Sequence, residues 1–598
     1  MTAFGADVRP PGIYSEPSER APEGLALGRT GVLGILGLAQ RGPTDRPVRI
    51  SSPEEFREVF GELPNGGFLQ AAIEGFFKNG GQEAWVVRVA HRFGPAPGDP
   101  ASVAACTLND GTQSSRLFLR ALSEGSWGNE LRVSIDRPPP QAQTFLTLDA
   151  DPGDTSVTVR STHNLRPGVL VRIQDGRNEA YRHLVSIEGK RLIFREDQPL
   201  AIPFSASAPT EVETVDFRLR VQAPFRKEVF PGLSLNPASP QFIERVVSER
   251  SRLIAATVIR RPGEMDRPPT AEDLPAAVED VPLEGGADGL WNVTPDDFVG
   301  MSGQLGGRTG LGALEQVPEV DLLAAPDVLW LFQRNAGVEG MPFSTRRDVE
   351  TVHEAMLAAA ERLNDRFVLL DSPFPESLEA TREYRLAFDS RQGALYFPWL
   401  VQQRGGQRRL QPPSGHLAGL IARCDRTVGV HRPPANEPVE DAEDLSFLLR
   451  EEDMGLLNAE GINCLVSQGT RGIRPWGART VSSDPSFRYI NVRREINAIQ
   501  KVLGEGLQWV VFEPNLPGLW KTVTRLVSDF LMKVWRQGWF RGETPEEAFF
   551  VQCDEENNPP EEREAGRLLV EVGVAPVRPT EFLVLRLAQE MQEKDEGA

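Results

Sequence analysis

The chain has 598 residues, 40% hydrophobic and 25% charged, which is the composition of a folded soluble protein long enough for several domains. Its net charge of −20 disfavours a general nucleic-acid binder, because phosphate binding needs clustered Lys and Arg. No apolar run approaches the roughly 20 residues of a transmembrane helix, and the N-terminal stretch has no signal-peptide apolar core, so cytosolic synthesis without Sec export or membrane insertion is expected.

Residues 1–28 read as an extended arm. Pro10, Pro11, Pro17 and Pro22 rule out a continuous helix, and Gly12, Ile13 and Tyr14 between them suit a short strand. Composition alone would favour a disordered tail. Residues 29–92 open an α/β core. Val32, Leu33, Ile35, Leu36 and Leu38 form a nearly continuous apolar run, as in a strand buried on both faces. Ser52-Pro53-Glu54-Glu55 starts a helix, with Ser52 as cap and Glu55 placed to bond back. Phe68, Leu69, Ala72, Ile73, Phe76 and Phe77 share one helical stripe, Gly80-Gly81 stop it, and Trp85–Ala90 is the next strand. Strand–helix–strand order predicts a parallel pair.

Residues 93–288 read as an inserted outer region. Within it, residues 142–213 form an all-β module of short runs at Ser156–Arg160, Val169–Ile173, Ala180–Ile187 and Arg191–Arg195, separated by Gly, Asp and Asn. The Pro-rich acidic stretch 262–288 reads as a surface loop. The core resumes over 289–444. Thr294 repeats the cap grammar of Ser52, Val328–Phe332 is expected as a strand, and 345–364 as a helix with Val349, Val352, Met356, Leu357, Ala360 and Leu363 inward. Phe367–Leu370 and Ala394–Val401 follow as strands, the latter at an edge or a bulge because of Pro398.

Residues 445–575 read as a C-terminal domain and 576–598 as a second arm. Strands are expected at Gly461–Ser467, Gln508–Phe512 and Gly566–Val574, and at Glu581–Leu587, which holds Glu581, Phe582, Leu583, Val584 and Leu585. A terminal apolar strand needs a partner: another subunit, or the chain's own sheet in a closing hairpin. Residues 516–539 form the clearest helix. Leu519, Trp520, Val523, Leu526, Val527, Phe530, Leu531 and Val534 cover one face, and Lys521, Arg525, Asp529, Lys533 and Arg536 the other.

Little in the chain points to catalysis. Cys106, Cys424, Cys464 and Cys553 are far apart with no CxxC, and the six histidines include no HExxH, so no metal or cofactor is expected. Ser414 and His416 near Asp425 could suggest a hydrolase triad. Two positions apart at a helix start, the first two diverge, and Ser414 reads better as an N-cap. The carboxylates Asp554, Glu555, Glu556, Glu561 and Glu562 lack EF-hand spacing. There is no P-loop and no GxGxxG.

Long ordered motifs carry a resemblance. PPGIYSEP at 10–17, RGPTDRPVRISSPEEFREVFG at 41–61, GFFKNGGQEAWVVRV at 75–89, SEGSWGNELRVSID at 123–136, PPSGHLAGLIARCDRTVGVHRPPAN at 412–436, YINVRREINAI at 489–499 and TPEEAFFVQCDEENNPPEEREAGRLLVEVGVAPVRPTEFLVLRLAQ at 544–589 resemble contractile tail sheath proteins. These are the polymers around the rigid tube of contractile phage tails, R-type bacteriocins and extracellular contractile injection systems. The resemblance spans 9–136 and 285–589 and leaves the β module outside it. It implies a structural subunit and not an enzyme, with a multi-domain α/β sheath fold. It also implies stacked, hexameric rings of the same chain around an inner tube, meeting a baseplate at one end and a terminator or cap at the other. It favours inter-subunit strand exchange by the arms, and an inner-wall role for the 516–539 helix, whose basic face otherwise reads as an ordinary solvated surface. A single chain with both terminal signatures points to a phage tail or an extracellular particle, since type VI secretion divides them between two proteins. An α/β hydrolase with a β insertion and a non-contractile surface-layer or adhesion protein are the alternatives.

Overall fold

A computed structural model describes residues 25–44, 46–63, 66–92, 100–261, 267–290, 292–300, 308–374, 377–404 and 406–581. The N-terminal positions Gly12, Ile13 and Tyr14, and Phe582 to Leu585 at the other end, lie outside them. The chain divides into two compact units. One comprises 31–426 and 434–488; the other comprises 489 onward with 427–433 and the described residues before 31.

The first unit is built on an eight-stranded sheet. Its strands are β1 (Leu33–Gly37), β2 (Val48–Ile50), β3 (Ala84–Arg88), β4 (Leu322–Ala324), β5 (Phe367–Asp371), β6 (Gly393–Phe397), β7 (Ile462–Ser467) and β8 (Ile473–Pro475). They lie in the order β2-β3-β1-β4-β5-β6-β7-β8, parallel from β3 through β7 with an antiparallel strand at each edge. All five residues of β1, β5 and β6 are buried, as parallel strands covered on both faces must be. The short antiparallel β2 has no signal in the sequence reading.

Helices α1 (Pro53–Phe60) and α2 (Leu69–Lys78) connect β2 to β3. Ser52 caps α1 by accepting from the Glu55 N–H at 3.1 Å, while the Glu55 carboxylate turns to the Ser51 N–H and hydroxyl. Helix α3 (Asp327–Asn335) stands where a strand was expected over 328–332. A run of five apolar residues suits either element; Pro326 and Asp327 just before it supply a helix start, and nine residues are longer than the run itself. Helix α4 (Arg346–Leu363) has a Thr345–Asp348 capping box and buries Val349, Val352, Met356, Leu357 and Ala360. Ala394–Val401 is two strands, not one: β6 ends at Phe397 and a hairpin strand begins at Leu400. Pro398 therefore removes no ladder bond, and β6 sits inside the sheet, not at an edge.

Helix α5 (Ser414–Thr427) explains why PPSGHLAGL carries glycines. A Cβ at Gly415 would lie 2.5 Å from the Ala72 backbone, and one at Gly419 would lie 2.2 Å from the Phe76 carbonyl oxygen. The backbones of α2 and α5 thus approach closely across two small residues one turn apart. Ser414 is the first helical residue, not the cap. Its N–H donates to the buried Asp371 carboxylate at 2.9 Å.

The inserted region holds two nested modules. Residues 143–214 form a six-stranded antiparallel sheet around Val171, Ile173, Phe194 and Phe204. Around it, a four-stranded and a three-stranded sheet from residues 105–282 share a core of Trp127, Leu131, Phe217 and Leu219. Strands β7 and β8 fall in the segment read as a C-terminal domain from 445, yet they complete the core sheet, and the second unit begins at Tyr489. Their apolar pattern names a strand without naming its sheet.

The six-stranded module enters and leaves at one point. The Thr214 N–H donates to the Ala142 carbonyl at 3.0 Å, and Arg218 pairs with Asp136 just outside. Replacing residues 142–213 by a short Gly/Ser linker should therefore leave the core folded, with one cooperative melt within a few degrees of the parent; circular dichroism and calorimetry read this, and loss of the core transition would contradict it.

Candidate functional site

The second unit concentrates the residues singled out in the sequence. It contains α6 (Ile490–Gly506), α7 (Pro517–Arg536) and a two-stranded antiparallel ribbon of β9 (Phe549–Gln552) and β10 (Glu571–Val574). Helix α7 starts at Pro517 and buries Trp520, Val523, Leu526, Val527, Phe530, Leu531 and Val534 against Ile499, Val502, Trp539 and Phe540. Burying side chains of this size contributes about 1.5–3 kcal/mol each. Lys521, Arg525, Lys533 and Arg536 all stand exposed on the other side with Asp529, and no ion pair ties them down among the described residues. Four cations and one carboxylate on an anchored helix make a rigid cationic surface.

The expected strand at 508–512 is a 3-10 turn, Gln508–Val510, followed by an exposed tip. The expected strand at 566–574 shortens to β10, because Gly566, at φ 71°, closes the short helix Pro560–Glu564. β9 and β10 pair from Phe549↔Val574 to Gln552↔Glu571, and each has an unpaired outer edge among the described residues. Such edges invite a further strand. Phe550 lies over Gly573, where a Cβ would meet its ring at 2.0 Å. Beyond β10, the Val577 N–H donates to the Trp539 carbonyl, and the Val577 carbonyl accepts from Asn491 at 2.9 Å. Glu581 accepts from the Tyr489 hydroxyl at 3.4 Å in irregular backbone. Val577 and Glu581 are thus both held at the start of α6.

Sequence reasoning missed Glu495. It is fully buried, neither carboxylate oxygen has a hydrogen-bond partner, and burial pushes its carboxyl up to about 9. The signal was present: Val492, Glu495, Ile499 and Val502 form one inward stripe at helical spacing, with an acid where an apolar residue belongs. Arg493, also buried, donates to Asn497 and Gln500 on the same helix.

The structure gives no triad. Ser414 and Asp425 lie on one helix, roughly 16 Å apart along its axis. His416 is buried with Nε2 2.8 Å from the Gln402 amide. Asp371, pushed up to about 7 by burial, receives the Ser414 N–H. The acidic loop serves local geometry: Asp554 accepts from the Glu556 and Asn557 N–H groups, and Glu562 takes both guanidinium contacts of Arg567. Among the described residues no His, Cys, Asp or Glu group of three or more could hold a metal ion, all four cysteines are free, and no helix is long and apolar enough to cross a membrane.

Two family profiles match in succession, the phage tail sheath protein central domain over 339–481 and the phage tail sheath C-terminal domain over 482–590. The chain belongs to the contractile tail sheath family. It is 26% identical to the tail sheath protein of Escherichia phage P2 over 301 residues, 49% of this chain and 70% of that protein. It is 22% identical to the tail sheath protein of Vibrio phage KVP40, covering 48% of this chain and 46% of that one. Over 197 residues it is 26% identical to a putative prophage major tail sheath protein of Pseudomonas aeruginosa UCBPP-PA14, covering 32% of this chain and 50% of that protein. The chain therefore spans about half the length of the last two relatives. In fold it is similar to the contracted helical sheath of the anti-feeding prophage, with TM-score 0.52 and 18% identity over 97% of this chain and 99% of that one. The contracted sheath complex of the extracellular injection system PVC gives TM-score 0.52 and 16% identity over 98% and 99%. The fold likeness runs over nearly the whole chain, whereas the sequence resemblance left the β module outside.

The buried acid of this sheath subunit has a pH signature. The folded chain keeps a proton on Glu495 that the unfolded chain releases above about 4.5, so stability falls as pH rises from there toward 9. Glu495→Gln should melt higher than the parent, by a margin that widens between pH 5 and pH 9. Thermal melts at both pH values check this; an equal margin at each would refute it.

Proposed function

We propose that this chain polymerises as stacked hexameric rings around an inner tube, in an extended metastable state that contracts to drive the tube through a target envelope. The run of sheath-domain matches from 339 through 590 supports this reading, because it covers the second half of the core and nearly all of the unit that carries α7 and the ribbon. Assembly starts in the cytoplasm at a baseplate and ends at a cap, as part of a phage tail or a released phage-tail-like particle. The work comes from two packings of one subunit, and a gap of a few kcal/mol per copy becomes large when summed over many rings.

Lys521, Arg525, Lys533 and Arg536 face the tube in this reading. Exposed charge pairs contribute at most about 1 kcal/mol each. Many such contacts set register along a polymer, yet each releases when the sheath slides. Changing all four to Glu should give empty or short sheaths while leaving the monomer melting temperature within a few degrees, because none of the four packs in the core. Electron microscopy of particles and a thermal melt read the two halves of this expectation; tube-filled particles of normal length would reduce the face to a solvated surface.

The terminal segments join neighbouring copies. The two free ribbon edges and the grip on Val577 and Glu581 support strand addition at this place. Deleting residues 1–20, or truncating after Pro579, should give folded monomers that form no contractile sheath. Normal sheaths from both truncations would show that the arms are dispensable.

A further inference from the structure

The turn between α6 and α7 displays an aromatic side chain with no support around it. Phe512 is 102% exposed, Val511 64% and Leu516 58%. Phe512 also sits at φ 73°, in the left-handed region that a bulky L-residue rarely occupies. A fully exposed ring on an unfavourable backbone has no folding rationale, and such outliers cluster at binding sites. The tip is stiff. Pro514 and Pro517 restrict it, the Glu513 N–H donates to the Val510 carbonyl at 3.0 Å, and Asn515 holds its base through the Arg567 carbonyl and the Trp520 indole N–H. Little freedom is left to lose on docking.

The first unit holds a crevice of matching chemistry. A cavity of about 830 Å³ opens at the carboxyl ends of the parallel strands, lined by Leu63, Phe68, Trp330, Phe332, Phe374 and Leu410. It lies at the switch point of the sheet: β3 flanks β1 on one side and β4 on the other, and the lining follows β1, β4, β5 and β6. Open α/β sheets bind ligands at this place. Its wall is rigid, since Phe68 and Phe374 both pack on buried Trp399, with ring centroids 5.2 and 5.4 Å away. At its rim Arg408 pairs with Asp444, while exposed Arg409 has no ion pair among the described residues.

We propose that Phe512 of one copy inserts into this crevice of a second copy, with Glu513 meeting Arg409. An apolar knob followed by a carboxylate matches an aromatic hole rimmed by a free guanidinium. Knob and hole are different surfaces of the same chain, so the contact is head-to-tail. Contacts of that kind propagate into rings or open helices and do not stop at a dimer, as a sheath requires. This rests on the sheath reading and adds a side-chain lock to it, independent of the arms.

The test uses the full chain. Phe512→Cys with Gln333→Cys on the crevice wall, treated with a short bis-maleimide, should give a ladder of covalent multimers, absent from each single variant. Phe512→Ala should raise the subunit concentration needed for polymer about thirtyfold, as loss of a central aromatic anchor does, without lowering the melting temperature. Glu513→Arg should do the same, and Arg409→Glu should restore assembly in the Glu513→Arg background. Parent-like polymerisation of Phe512→Ala overturns the lock and leaves the sheath reading standing. A double-cysteine product of single-chain mass, or cross-linking of Phe512→Cys to the tube protein within whole particles, also overturns it. A parent chain that never polymerises sinks the sheath reading instead, and the cross-link ladder then judges the knob contact alone.

Discussion

The first unit depends on one pairing, β1 against β4, between segments separated by almost half the chain. Two carboxylates close it. Asp321, just before β4, accepts from the Gly31 and Val32 N–H groups at 2.9 and 2.6 Å. Asp327, just after β4, accepts from Leu38 at 2.5 Å and from the Phe68 and Leu69 N–H groups at the start of α2. The first carboxylate fixes where β1 begins and the second where it ends. Asp327 is fully buried and pushed up to about 6 despite three donors, so burial outweighs them. Removing its acceptor would leave buried backbone donors unpaired at about 1–3 kcal/mol each. The same residue places α2 and α3 beside each other at the mouth of the crevice.

Joining positions 38 and 327 through a flexible loop of that length would cost about 5 kcal/mol in its length-dependent part. The inserted region shortens the loop by folding on itself. Where it enters and leaves, Ser102 pairs with Ala287 and Ala105 with Glu284, and the His91 N–H reaches the Gly289 carbonyl. The inner module repeats the device, with Ala142 against Thr214. Each insertion presents its host with two adjacent ends. The core sheet therefore forms as if the intervening chain were a short connection, and the outer modules keep separate hydrophobic cores.

The second unit divides its charges by role. On α7 the cations stand in water, where each costs little and binds weakly. On α6 an acid is inside with no partner, which costs stability at neutral pH and yields nothing to the isolated chain. Weak exposed contacts suit surfaces that must let go, and rigid apolar ones suit surfaces that must hold. In the assembly proposed above, Phe512 and the crevice are of the second kind, and the cationic face of α7 is of the first.

Periodicity alone determined much of this protein. The buried run at 33–38, the caps at Ser52 and Thr294, the two-faced α7 and the short alternating strands of the β module follow from spacing and cap chemistry, which are local. What spacing could not supply was the choice among structures of equal local quality. Val328–Phe332 became a helix because Pro326 and Asp327 precede it and β1 needs a carboxylate there. Ile462–Ser467 joined the core sheet because β6 offered it a parallel edge. Ser414 lost its capping role because the helix already begins at it, with its own N–H held by Asp371 from a distant strand. The crevice at the ends of β1, β4, β5 and β6 is assembled from residues 63 to 411, so no window of sequence contains it. Local physics is written along the chain; which distant segment supplies a partner, a carboxylate or a wall is decided only when the chain closes on itself.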